Sequence, residues 1–382
     1  MFIQMSTDSF ENLDIKGDIL RGVYSYGFEK PSSIQVKAIP EIIKGKDIIA
    51  QAQSGTGKTG AFVIGSLCKI DMELDSTQLL ILLPTHELVN QVFSVVKEIS
   101  NYLDLSIVKV IGGTRISDSI DELNRNPKII IGTPGRVLDM ISRKYLITEH
   151  LKMLIFDEAD EILSKGFKDN IYNIVTCIPK NTQICLFSAT LPEDIFELTT
   201  KFMNDPEKIL VKNEELTLEG IQQYYVTVRD NNWKYEIITD LYDAISVNQC
   251  IIYINNKSKI YEIYERLSKD NFPVSYISGD RTSQERKEIM EQFRSGTIRI
   301  LLSSDLLSRG IDIQQLSLVI NYDIPRDKET YIHRIGRSGR YGRKGVAINL
   351  INEREIQNLK HIELFYNTKI IEMPSNISEL LN

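Results

Sequence analysis

The chain reads as an α/β protein of two tandem domains, each built on a parallel sheet flanked by helices. Three observations predict this. Short β-branched runs recur without polar alternation, amphipathic stretches separate them, and the rhythm restarts after an acidic segment near the middle. The 382 residues suit two domains of roughly 100–200 residues each.

Taken in order, buried strands are predicted at Asp47 to Ala50, Leu79 to Leu83, Ile107 to Ile111, Lys128 to Ile131, Met153 to Phe156 and Gln183 to Phe187. The second half repeats them at Cys250 to Ile254, Val274 to Ile277, Arg299 to Leu302, Leu318 to Asn321 and Val346 to Leu350. Between the halves, Asn213 to Gly220 is polar and acidic and reads as a linker. The expected division is an N-terminal segment over 1–40, a first domain over 41–212, a linker over 213–222 and a second domain over 223–382.

With 42% hydrophobic and 25% charged residues, disordered and collagen-like classes are excluded. The 45 Lys and Arg against 52 Asp and Glu give a net charge of −7, which excludes binding nucleic acid through bulk charge. The distribution is uneven, because Arg326 to Lys344 holds seven cations and two acids. Cys68, Cys177, Cys185 and Cys250 have no C-x-x-C spacing, so reduced thiols are expected rather than a zinc site or a disulfide framework. No signal peptide opens the sequence, and no apolar run approaches the ~18–20 residues of a membrane span. A chain in the cytoplasm or nucleus is the expectation.

After the first strand comes Ala52-Gln53-Ser54-Gly55-Thr56-Gly57-Lys58-Thr59, followed by a helical stretch from Gly60. A strand, a glycine-rich turn and a helix opening on Lys-Thr is the context of a phosphate loop. Its glycines let backbone N–H groups converge on phosphate oxygens at a helix N-terminus. Lys58 would reach the β- and γ-phosphates, and the Thr59 hydroxyl would hold Mg²⁺. The pattern usually begins with Gly, where this chain has Ala52. The apolar run Met153 to Phe156 ends in Asp157-Glu158-Ala159-Asp160, the expected place for a Mg²⁺-holding Asp157 and a water-polarising Glu158. In the second half, Arg334, Arg337 and Arg340 recur every three residues with no acid between Glu329 and Glu353. That spacing puts guanidinium groups on one side of a helix or turn, as arginine fingers for transition-state charge would require.

In their order, these segments resemble a DEAD-box RNA helicase of superfamily two along almost the whole chain. Thr133-Pro134-Gly135-Arg136, Asp157 to Asp160, Ser188-Ala189-Thr190 and His333 to Arg340 match its motifs, and Phe10 with Gly27 to Gln35 is similar to its adenine-reading segment. Glu215 to Ile221 and Ile371 to Pro374 resemble the translation-initiation-factor subgroup. The resemblance implies two RecA-like domains and an RNA-stimulated ATPase that uses ATP and Mg²⁺. It also implies a monomer that separates short RNA duplexes locally, with a translation-initiation scaffold as a partner.

By the same resemblance, Gln35 and Phe28 would read adenine with Lys30 nearby. Ser54, Gly55, Thr56, Gly57, Lys58, Thr59 and Gly60 would cradle phosphates, and Asp312 and Tyr341 would complete the nucleotide site. Arg337 and Arg340 would be the fingers. Asp160, Ser188, Thr190 and His333 would couple nucleotide state to domain closure. RNA backbone contacts fall to Pro84, Thr85, Gly113, Thr133, Gly135 and Arg136 in the first domain. In the second they fall to Gly279, Asp280, Arg294, Gly296, Ser304 and Asp305. Three positions depart from the family: His86 stands where Arg is usual, Ser303-Ser304 replaces Ala-Thr, and Ser278 stands where His is frequent. An imidazole, ordinarily titrating near pH 6.5, would weaken the Arg contact or make it pH-dependent. The competing readings are an ATP-dependent RNA clamp, a DNA-acting helicase of the superfamily and a phosphate-loop switch without nucleic acid.

Overall fold

A computed structural model describes residues 9–52, 56–163, 166–191, 199, 201–210, 221–230, 232–244, 249–305, 316, 318–325, 327–336 and 345–374. It divides into two compact units, Met1–Val211 and Lys212–Asn382.

The first unit opens with helices α1 (Gly17–Ser25) and α2 (Ser33–Lys44). It continues through β1 (Ile48–Gln51), α3 (Lys58–Leu67), β2 (Leu79–Leu82), α4 (His86–Ile99), β3 (Ile107–Val110), α5 (Ile116–Leu123), β4 (Ile129–Gly132) and α6 (Pro134–Ser142). It closes with β5 (Met153–Asp157), α7 (Ala159–Ile162), α8 (Lys168–Thr176), β6 (Gln183–Ser188) and β7 (Glu207–Leu210). The seven strands form one sheet in the order β3-β4-β2-β5-β6-β1-β7, and every pairing is parallel. Consecutive strand residues feed opposite cores. Ile48, Ile81, Ile131 and Ile155 pack on one face, and Ile49, Leu80, Ile130 and Leu154 on the other. Burial on both faces is why these strands are continuously apolar in sequence.

The second unit contains β8 (Ile221–Thr227), α9 (Trp233–Ala244), β9 (Cys250–Tyr253), α10 (Lys257–Lys269), β10 (Val274–Ile277), α11 (Ser283–Arg294) and β11 (Ile300–Ser303). It goes on with β12 (Leu318–Asn321), α12 (Lys328–Ile335), β13 (Gly345–Ile351), α13 (Ile356–Phe365) and β14 (Ile370–Glu372). Its sheet, also all parallel, has the order β10-β11-β9-β12-β13-β8-β14. The three strands without a counterpart among the sequence expectations are β7, β8 and β14. In β7 only Ile209 is buried, and β14 buries only Ile370. Strand β8 carries two glutamines, so none of the three shows a fully apolar run. Among the described residues no helix is long and apolar enough to cross a membrane.

Candidate active site

A parallel sheet puts all its carboxyl ends on one edge, and in the first unit that edge collects the chemistry. Strand β1 leads into α3, whose first residue is Lys58. Ser54 and Gly55 lie outside the described residues, and Thr56 and Gly57 precede the helix. Gly57 sits at φ +98°, a left-handed conformation that glycine adopts freely. Lys58 is 5% exposed, and no described group accepts from its ammonium. A buried cation without a partner is costly, so this helix N-terminus is suited to an anion. Thr59, half-buried, follows it.

The adenine-reading candidates meet the same turn. Gln35 accepts from the Ser32 N–H at 2.8 Å and donates to the Gly57 carbonyl at 3.2 Å. A Cβ at Gly60 would come within 2.5 Å of the Gln35 amide and 2.9 Å of the Phe28 ring, so only glycine fits there. Phe28 in turn stacks on Phe10 at 6.2 Å. Lys30 is exposed.

Strand β5 delivers Asp157 at its end, next to Glu158 at φ +51°. A non-glycine residue in this region stores strain, and such strain concentrates at functional sites. Both carboxylates are buried, and Glu158 Oε2 has no partner among the described residues. Burial, reinforced by the Glu158 charge and opposed by Lys58, pushes the Asp157 carboxyl up to about 7. A divalent cation at this spot would reverse that preference. Strand β6 lies between β5 and β1, which brings its end to Asp160. Ser188 donates to one Asp160 carboxylate oxygen and Thr190 to the other, each at 2.8 Å.

Ends of β2, β3 and β4 supply the remaining half of the edge. Pro84, His86, Gly112, Thr133, Gly135 and Arg136 line a groove of 440 Å³, floored in part by Ile116, Asp139 and Phe167. Thr85 caps α4 by accepting from the Leu88 N–H at 3.3 Å. Gly113 neighbours the His86 ring, which lies 3.5 Å from where its Cβ would be. Arg136 donates to the Thr114 carbonyl at 2.8 Å and to Ser119 at 3.1 Å, tying α6 to the loop after β3. The sequence reading missed Ile116, Asp139 and Phe167, which no motif marks.

In the second unit, Gly279 and Asp280 follow β10, and Ser304 and Asp305 follow β11, so these four share the carboxyl edge. Arg294 and Gly296 do not. They end α11, which runs back to the amino edge, where the Gln249 amide ahead of β9 donates to the Phe293 carbonyl. His333 is a buried residue of α12. Asp312, Arg337, Arg340 and Tyr341 lie outside the described residues. Arg334, expected to share one side of a helix or turn with Arg337 and Arg340, is held in the interior of the second unit. It is fully buried, because three strand ends converge on it: it donates to Asp305 at 2.6 Å, Asn321 at 3.2 Å, the Asp323 carbonyl at 2.6 Å and Asn255 at 2.5 Å.

A glycine turn before Lys58, the acidic end of β5 and hydroxyls gripping Asp160 just beyond it are the features of a motor ATPase core, and the second unit repeats the parallel architecture. Comparison with known proteins narrows the class. The DEAD/DEAH box helicase model matches residues 32–198, and the helicase conserved C-terminal domain matches 233–342. The ATP-dependent RNA helicase eIF4A of Kluyveromyces lactis is 54% identical over 374 residues, covering 98% of this chain and 94% of the relative. Among solved structures, S. cerevisiae Dbp5 bound to RNA and ADP BeF3 matches with a TM-score of 0.88 and 33% identity, covering 96% of this chain and 95% of that one. A Dbp5 variant bound to a Gle1 variant and IP6 matches with a TM-score of 0.80 and 32% identity, covering 97% and 95%. The chain belongs to the DEAD/DEAH box helicase family.

Proposed function

We infer that this protein is an ATP-dependent RNA helicase that hydrolyses ATP on RNA-driven domain closure and locally unwinds short RNA duplexes in translation initiation. The observation that carries this is the shared carboxyl edge of the first sheet. On that edge Lys58, buried and without an acceptor among the described residues, follows β1, and Asp157 ends β5, the strand beside β2 of the groove-lining set.

Lys58 takes the β- and γ-phosphates, and the buried Asp157 with the Thr59 hydroxyl holds Mg²⁺, which neutralises phosphate charge when bound. Glu158 orients the attacking water and accepts its proton. Gln35 and Phe28 select adenine, with Lys30 at the rim. The Asp160–Ser188–Thr190 hydrogen bonds, with His333, register nucleotide state. Asp312, Tyr341 and the fingers Arg337 and Arg340 complete the site on closure, with the segment ahead of β8 joining the halves. RNA lies along the groove through its sugar–phosphate backbone, so sequence preference is small. Relatives named eIF4A support a role in translation initiation, and a solved neighbour bound to Gle1 supports a protein partner; a monomer acting in the cytoplasm with an initiation scaffold is the reading.

The test compares RNA and DNA oligonucleotides of one sequence as stimulators of ATP hydrolysis, with strand displacement measured in parallel. RNA stimulates turnover and DNA does not. Equal stimulation by DNA rejects the substrate assignment, and turnover without displacement rejects unwinding in favour of an RNA clamp.

A further inference from the structure

A tether on Asp280 has no part in the mechanism above. Asp280 lies in the turn Ser278-Gly279-Asp280-Arg281 after β10, closed by the Arg281 N–H donating to the Ser278 carbonyl at 3.2 Å. Its carboxylate collects donors from two elements. The Ser278 hydroxyl donates to Oδ1 and the Tyr261 hydroxyl of α10 donates to Oδ2. Lys257, the first residue of α10, sets its ammonium 3.3 Å from Oδ1. These donors, Ser278 foremost and Tyr261 next, hold the carboxyl well below the usual carboxylate range. Asp280 is therefore an anion in a loop that the helicase reading assigns to an RNA backbone, where a free negative charge would oppose each phosphate.

Tyr261 is itself held in place. Its ring meets Tyr276 edge-on at 5.0 Å, and Tyr264 meets Tyr276 at 4.8 Å. The Arg281 guanidinium lies over Tyr276 at 4.2 Å. The hydroxyl thus reaches Asp280 from a ring whose orientation is fixed by packing, at no further ordering cost when RNA arrives. Ser278, one of the departures from the family pattern, contributes the other hydroxyl.

We propose that Tyr261 is a positioning residue for RNA binding: together with Ser278 and Lys257 it pins the Asp280 carboxylate and so fixes the Gly279–Asp280 turn in one orientation toward the RNA backbone. This rests on the helicase reading and specifies how one of its RNA contacts is built.

The test uses Tyr261→Phe in the full chain, which deletes one hydroxyl and keeps the ring on Tyr276. A fluorescein-labelled oligouridylate is titrated in the presence of a non-hydrolysable ATP analogue, and ATPase is measured against RNA concentration. The expected result is a rise of about tenfold in the RNA dissociation constant and in KM for RNA, with kcat at saturating RNA retained. Adding Ser278→Ala to Tyr261→Phe removes the second hydroxyl from the carboxylate and weakens RNA binding further. A dissociation constant within about twofold of wild type overturns the proposal. So does a loss of kcat with an unchanged KM, or a double variant that binds RNA no more weakly than Tyr261→Phe. Failure of the helicase reading shows separately, as a wild-type chain that does not bind the oligouridylate.

Discussion

Arg334 Nε donates to Asp305 Oδ1 at 2.6 Å, and the remainder of the guanidinium is spent on Asn255, Asn321 and the Asp323 carbonyl. The side chain is 0% exposed, so it ties the ends of β9, β11 and β12 together as an interior strut. Removing it leaves the buried Asn321 oxygen without this donor, whereas the Asp305 carboxylate, 41% exposed, stays in contact with solvent. Arg334→Ala is therefore expected to destabilise the second unit by about 1–3 kcal/mol, read as an earlier transition in urea unfolding. Arg334→Lys keeps the charge but loses the fork, and should fall between the two.

Glu158 is buried beside Asp157, and one of its carboxylate oxygens has no partner among the described residues. Replacing it by Gln preserves volume and removes the proton acceptor. Glu158→Gln should lower ATP turnover by at least about 100-fold while a fluorescent ATP analogue still binds. Turnover near wild type would move the catalytic base elsewhere.

His86 begins α4 and lines the groove with Thr133 and Arg136. Arg at this position brings a permanent, forked cation to an RNA phosphate. His86→Arg should tighten RNA binding about fivefold at neutral pH and fixed salt, equivalent to roughly 1 kcal/mol. Unchanged or weaker binding in that titration would remove His86 from the RNA surface.

Cysteine chemistry offers a direct reading of burial. Cys68, Cys185 and Cys250 are buried and Cys177 is exposed. Burial raises the first two thiols and pushes Cys250 up to about 12, which suppresses the reactive thiolate at ordinary pH. A thiol reagent at pH 8 should label Cys177 quickly and the others only on unfolding. Cys177→Ser should abolish the fast phase.

Much of this molecule is written in consecutive residues. The run Leu79 to Leu83 announces a strand because both of its faces are covered, and Gly57 followed by Lys58 announces a phosphate turn because the backbone there needs a left-handed residue before a helix. Strand β7 was invisible for the opposite reason. At the edge of the sheet it buries only Ile209, so it carries no apolar run. Phe167 escaped notice because it reaches the groove from the start of α8, whose packing on α6 no local pattern records. Arg294 and Gly296 looked equivalent to Asp280, yet the reversal of α11 carries them to the other edge of the sheet.

By itself, the sequence determined the chemistry: the phosphate turn, the acidic strand end, two parallel α/β halves and the family they resemble. These depend on residue type and near spacing, which set backbone conformation and the faces that must be buried. Only the tertiary structure decided that Arg334 faces inward while belonging to a cationic stretch, and that Asp280 answers to a tyrosine 19 residues earlier. Strand order brings β9, β11 and β12 side by side around one guanidinium, and α10 against the end of β10. Hydrogen bonds between distant residues follow strand order, and packing of both sheet faces sets that order across the whole unit.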